Sequence, residues 1–113
     1  MTVKIAIPTE NGKLCAHFGH CEAFYMATIT EGSITDSTMI VPPAHEPGLY
    51  PAWVAQHGVK TVIAGGMGQK ARDLFAKEQV EVIVGAPFKA PEELVHDFIQ
   101  QTLVVGNNSC NHK

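Results

Sequence analysis

Basic clusters, long apolar runs and catalytic signatures are all missing from this sequence, and each absence narrows its function. Only 8 Lys and Arg stand against 11 Asp and Glu, a net charge of −3 with His neutral, and no stretch gathers the basic residues. The electrostatic footprint of a nucleic-acid binder is therefore lacking. No apolar run approaches the roughly 18 residues of a membrane-spanning helix. The sequence runs directly into a strand at Val3–Ile7, so no signal peptide is expected, and the expected location is cytoplasmic. Cysteine is scarce. Three thiols, an odd number in a reducing compartment, argue against a disulfide framework and leave sulfur for use as ligand or nucleophile.

Catalytic patterns are equally scarce. There is no Gly-x-Ser-x-Gly elbow, no Walker A loop and no pair of acids that the strand order would bring together. A ribonuclease-H-type nuclease needs carboxylates for two metals, beginning on its first strand. Here that strand is Val3-Lys4-Ile5-Ala6-Ile7, with no acid. No catalytic residue is predicted.

What the sequence does contain is a dense set of ligands. Cys15-Ala16-His17-Phe18-Gly19-His20-Cys21 packs two thiols and two imidazoles into one loop. Thiolate and neutral imidazole are soft or borderline metal ligands. No Cys-x-x-Cys pair occurs, so no closed structural zinc pattern is matched. The spacing alone leaves two readings open: a metal site, or imidazoles packing locally beside thiols buried as small hydrophobes. His45 in a second loop, and Cys110 and His112 at the far end, are additional candidate ligands. His57, near a helix end, is expected to face that helix's dipole, and His96 to lie on the surface.

The rest reads as a scaffold of 113 residues, one domain's worth, with 45% hydrophobic and 17% charged residues. Val3–Ile7 alternates as a strand ending at Pro8, and residues 9–21 read as loop around the Asn11-Gly12 turn. Residues 22–41 read as a hairpin turning at Glu31-Gly32-Ser33. Helices are expected from Pro51 to His57, after Gly68, and from Glu92 through Leu103 to a stop at Gly106-Asn107. The second should carry an Asp73–Lys77 pair. Thr61–Ala64 and Val80–Val84 are short apolar runs typical of strands covered on both faces. The order βββαβαβα predicts a five-stranded mixed sheet, in order 3-2-1-4-5, with flanking helices. Residues 1–106 form the α/β domain, and 107–113 a flexible polar tail.

Ligands tend to bind beyond the carboxyl ends of strands where such a sheet switches direction. The Cys/His loop after the first strand and Gly65-Gly66-Met67-Gly68 after the fourth should face each other there. The turn Gly66-x-Gly68-x-x-Ala71 superficially fits a dinucleotide fingerprint, but the acid expected after the next strand is replaced by Gly85-Ala86-Pro87. Either the glycines present bare amides to an anion, or they only allow a tight turn. Met67 could supply a thioether or pack in the core.

Several stretches together resemble a known family. His17-Phe18-Gly19-His20-Cys21-Glu22-Ala23-Phe24, His45-Glu46-Pro47-Gly48 with Pro51 and Trp53, Ala64-Gly65-Gly66-Met67-Gly68 with Ala71, Gly85-Ala86 and Cys110-Asn111-His112 are similar to the dinitrogenase iron–molybdenum cofactor biosynthesis family. The resemblance covers nearly the whole chain. It implies a ribonuclease-H-like α/β fold and a non-enzymatic module that binds or carries a metal–sulfur cluster, an iron–molybdenum-type cofactor or its precursor. The similar orange-protein branch binds a molybdenum–copper–sulfur cluster noncovalently. The implied contacts are His17, His20 and Cys21, with His45, Cys110 and His112 as further metal ligands and Gly66, Met67 and Gly68 as cofactor-binding positions. Cys15 lies outside the matching motif and is a secondary candidate. A cofactor-assembly or recipient protein is an implied partner. Two other readings are a phosphate- or nucleotide-binding protein using the glycine turn, and a zinc-stabilised interaction module.

Overall fold

The structure, a computed structural model, describes residues 2–15, 22–41, 49–87 and 89–103. Among them run β1 (Thr2–Glu10), β2 (Lys13–Leu14), β3 (Ala23–Thr30), β4 (Ser33–Ile40), α1 (Leu49–Gln56), β5 (Thr61–Ile63), α2 (Gln69–Lys77), β6 (Glu81–Ile83) and α3 (Pro91–Gln100). The sheet order is β4-β3-β1-β5-β6, with β2 paired to β1. β1 is antiparallel to β3 and parallel to β5, so the sheet is mixed and reverses its sense at β1. The expected order of the long strands is therefore found, but the described residues hold six strands, not five.

The additional strand comes from the region expected to be loop. Asn11 and Gly12 adopt φ of 56° and 80°. Positive φ at both central residues makes the tight hairpin turn whose twist suits paired strands. It folds Lys13 and Leu14 back onto Glu10 and Thr9. β1 also continues through Pro8, which pairs with Phe24 of β3. The β1–β5 ladder is already over at Ala6↔Val62, so the N–H that proline lacks falls beyond it, and its carbonyl accepts instead from Cys15 N at 2.9 Å.

Alternate residues of β1 feed two apolar layers, as the period of a strand requires. Ala6, with Phe24, Met26 and Val62, packs with Val54 of α1 and Phe75 of α2. Ile5 and Ile7, with Tyr25 and Ile63, pack with Leu94 and Val95 of α3. β4 lies at the sheet edge, exposed along nearly its whole length.

Two expected details are corrected. α3 stops at Gln100, well short of Gly106, because Gln101 turns left-handed (φ 62°) and Thr102 N reaches back to Asp97 O at 2.8 Å. This closes the last turn with a 6→1 bond. Leu103, expected on the helix's apolar stripe, packs against the core from beyond that turn. Asp73 takes its hydrogen bond from Gln69 Nε2 at 2.7 Å, one turn before it, rather than from Lys77. No described helix is long and apolar enough to cross a membrane.

Candidate functional site at the carboxyl end of β1 and β5

β1 and β5 are parallel neighbours, so the segments that follow them leave from the same end of the sheet. The segment holding His17, His20 and Cys21 lies outside the described residues, but both its flanks are fixed. Cys15 N donates to Pro8 O at 2.9 Å, and Glu22 N donates to Thr9 O at 2.8 Å. Thr9 pairs with Leu14 on one side and Ala23 on the other. The flanks therefore stand on opposite sides of β1, about two strand spacings or ~10 Å apart. Buried Thr9 strengthens this end: its hydroxyl donates to Ala23 O at 2.9 Å. Leu14 N donates to Lys89 O at 3.0 Å, which ties the hairpin to the segment before α3. Cys15 itself is 2% exposed, so its thiol belongs to the interior.

The glycine turn follows β5, at the same end of the sheet. Gly65 and Gly66 are buried, and the β5–β6 ladder continues past the strands through Gly85 N to Gly65 O at 3.0 Å. Met67 is fully buried among Ala6, Phe24, Val54 and Phe75. Its side chain packs in the core.

Gly68 differs from its neighbours. It is exposed and forms the N-cap of α2, with φ −67° and ψ 158°, an extended conformation open to any residue. A Cβ built there meets nothing within 4 Å. Neither backbone strain nor packing calls for glycine. The residue provides no capping side chain, and the first turn of α2 contains no acid. Instead it carries Lys70, with Arg72 directly after it. Helix N-termini favour acidic residues and a Ser, Thr, Asp or Asn cap. The α2 N-terminus has neither, and its bare amides and two cations make it an electropositive corner suited to an anion. Lys70 and Arg72 were not singled out from sequence. Their signal was the lack of any acid between Gly68 and Asp73.

Two histidines, His57 and His96, lie among the described residues. His57 lies edge-on to Trp53, with ring centroids 4.7 Å apart, and Trp53 in turn contacts Phe24 at 5.5 Å. His96 is exposed on α3, where its Nε2 and Gln100 Nε2 are 3.2 Å apart. Among the described residues, no three His, Cys, Asp or Glu side chains come close enough to hold a metal ion. His45, Cys110 and His112 fall outside the described residues.

Comparison with known proteins decides the family. The family model described as dinitrogenase iron–molybdenum cofactor matches residues 1–101. The chain belongs to this dinitrogenase cofactor family. A curated relative, the uncharacterised protein MJ0580 of Methanocaldococcus jannaschii, is 34% identical over 85 residues, 71% of this chain and 72% of that protein. Two solved structures share the family member's fold. One is PH0822, 24% identical over 95% of this chain and 97% of that one, with a TM-score of 0.88. The other is the apo form of the orange protein from Desulfovibrio gigas, 16% identical over 93% of both chains, with a TM-score of 0.76.

Proposed function

We propose that this domain is a non-enzymatic carrier of an anionic metal–sulfur cofactor or precursor, bound beyond the carboxyl ends of β1 and β5. The observation that carries this reading is the α2 N-terminus. It is uncapped, without acid and flanked by Lys70 and Arg72, at the sheet end where both flanks of the Cys/His segment are tied down. Thiolate- or sulfide-rich clusters are negatively charged. Amides of Gly66 to Gly68 would donate to that charge while His17, His20 and Cys21, with His45, bind metal. Cys110 and His112 would act only if the tail returns to this end. The family's association with iron–molybdenum cofactor supports the choice of cargo, and the sheet order supports the ribonuclease-H-like architecture included in the proposal. A cofactor-assembly or recipient protein would complete the transfer.

The reading is tested by loading the protein without oxygen, once with ferrous iron and sulfide and once with tetrathiomolybdate and copper(I). At least one loading should give visible charge-transfer absorption that survives gel filtration and weakens in His17→Ala and Cys21→Ala. Bands of full intensity in both variants would remove this segment from the site.

A further inference from the structure

A side chain also fastens the flank of the segment with the candidate ligands. Glu22, the first described residue after it, places Oε1 2.7 Å from the backbone N of Asn11, which donates to it. Asn11 is the first central residue of the β1–β2 turn. Glu22 N is meanwhile held by Thr9 O at 2.8 Å. One residue therefore closes a ring that joins the end of β1, the tip of the hairpin and the C-terminal flank of residues 16–21. Hydrogen bonds from a backbone N–H to a carboxylate are short and among the stronger ones available to a chain. An exposed carboxylate beside the proposed site of an anion would by charge alone oppose binding, so its place there calls for another reason.

We infer that Glu22 is a positioning residue, which sets the ligand-bearing segment by latching its C-terminal flank to the Asn11-Gly12 turn. The inference rests on the proposed carrier function, but the latch can be read without cargo. Glutamine at position 22 keeps an acceptor oxygen for Asn11 N–H and drops the charge, whereas alanine drops both. Three roles are thereby separated. A latch predicts that Glu22→Ala fails and Glu22→Gln is restored. A metal ligand predicts that both fail alike. A residue with no role predicts that neither changes.

The experiment compares wild type, Glu22→Gln and Glu22→Ala in two ways. In cargo-free protein, amide exchange at Asn11 and backbone relaxation of residues 16–21 are measured by NMR. Glu22→Ala should speed Asn11 exchange at least threefold and raise the mobility of 16–21, while Glu22→Gln stays close to wild type. Titration with tetrathiomolybdate and copper(I) should then show affinity reduced three- to tenfold in Glu22→Ala. Affinity in Glu22→Gln should equal or exceed that of wild type, with Tm little changed in either exposed-site variant. Equal losses in both variants, or Asn11 exchange indifferent to both, would overturn the latch. If wild type takes up neither loading, the carrier reading fails while the NMR comparison still decides the latch.

Discussion

Replacing Gly68 by aspartate should move stability and cargo binding in opposite directions, because the two place opposite demands on the α2 N-terminus. A Cβ at this position meets nothing within 4 Å, and the backbone at φ −67° and ψ 158° accepts a side chain. Its carboxylate can take a first-turn N–H, a gain over glycine of a few tenths of a kcal/mol. The charge against the helix dipole adds about 0.3–1 kcal/mol. Removing glycine's freedom from the unfolded chain adds about 0.4–1 kcal/mol. The sum, about 1–2 kcal/mol, raises Tm by roughly 4 °C or more in a domain of this size. For the cargo the sign reverses. Unit charges roughly 5 Å apart repel by about 3 kcal/mol at an effective dielectric near 20, and by about 1 kcal/mol with strong solvent screening. Affinity should therefore fall about fivefold to a hundredfold. Thermal unfolding of cargo-free protein gives the first quantity, and anaerobic titration followed by visible absorption gives the second. Gly68→Ala separates charge from bulk, since it retains much of the entropic gain without the carboxylate. A raised Tm with unchanged affinity would refute the placement of cargo on α2. A lowered Tm would refute the account of the cap itself.

The remaining expectations are simpler. Met67→Leu, a volume-conserving change in the core, should cost less than about 1.5 kcal/mol in denaturant unfolding and leave the absorption of loaded protein unaltered; a lost band would make the thioether a ligand. Leu94→Ala, at a fully buried position on α3, should cost about 2–5 kcal/mol, and a cost below 1 kcal/mol would show that α3 is not seated on the sheet as described. Gly12→Ala should cost about 1 kcal/mol although nothing crowds the new methyl, because φ of 80° disfavours any side chain. Removal of residues 107–113 should leave the loaded spectrum intact. α3 begins at the site's end of the sheet and carries the chain about 15 Å away from it. The seven residues from Leu103 to Cys110 span at most ~25 Å, so a return of Cys110 to the site would use more than half of that reach.

The long strands and all three helices were legible because period, turn dipeptides and proline positions agreed along most of the chain. The failures have separate causes. Pro8 looked like a strand end because proline removes a donor, and only the early end of the β5 ladder makes that loss harmless. Asn11-Gly12 was visible as a turn, but two residues, Lys13 and Leu14, are too short a run to announce a strand. The stop of α3 at Gln100 carries no Gly or Pro, and is fixed by Thr102 reaching Asp97. Of the candidate site, the shared sheet end of the segments that follow β1 and β5 was legible, while its Cys and His candidates from 17 to 21 lie outside the described residues. The site's electrostatics were not legible, since they arise from what the α2 N-terminus omits.

That omission is best judged against α3, which serves as a control within the same molecule. α3 starts with Pro91 and follows it with Glu92 and Glu93, so its first turn is arranged for stability: fixed φ, no wasted donor and negative charge on the positive end of the dipole. α2 starts with Gly68, then Gln69, Lys70, Ala71 and Arg72. Both helices begin near the carboxyl ends of parallel strands and both cover the sheet, so architecture alone does not explain the difference. α3 buries Leu94 and Val95 beneath its opening turn, and α2 reaches Phe75 only later. If fold stability were the only demand, the two N-termini would be expected to converge on the same acidic chemistry. The one that opposes its own dipole is the one that follows β5, the parallel neighbour of β1. A negative cargo would supply the charge that α2 lacks. On this view cargo-free protein is the less stable state, and loading should add RT ln(1 + [L]/Kd) to the unfolding free energy and raise Tm accordingly. Gly68→Asp should start from a higher Tm and, through its weaker affinity, gain less on loading.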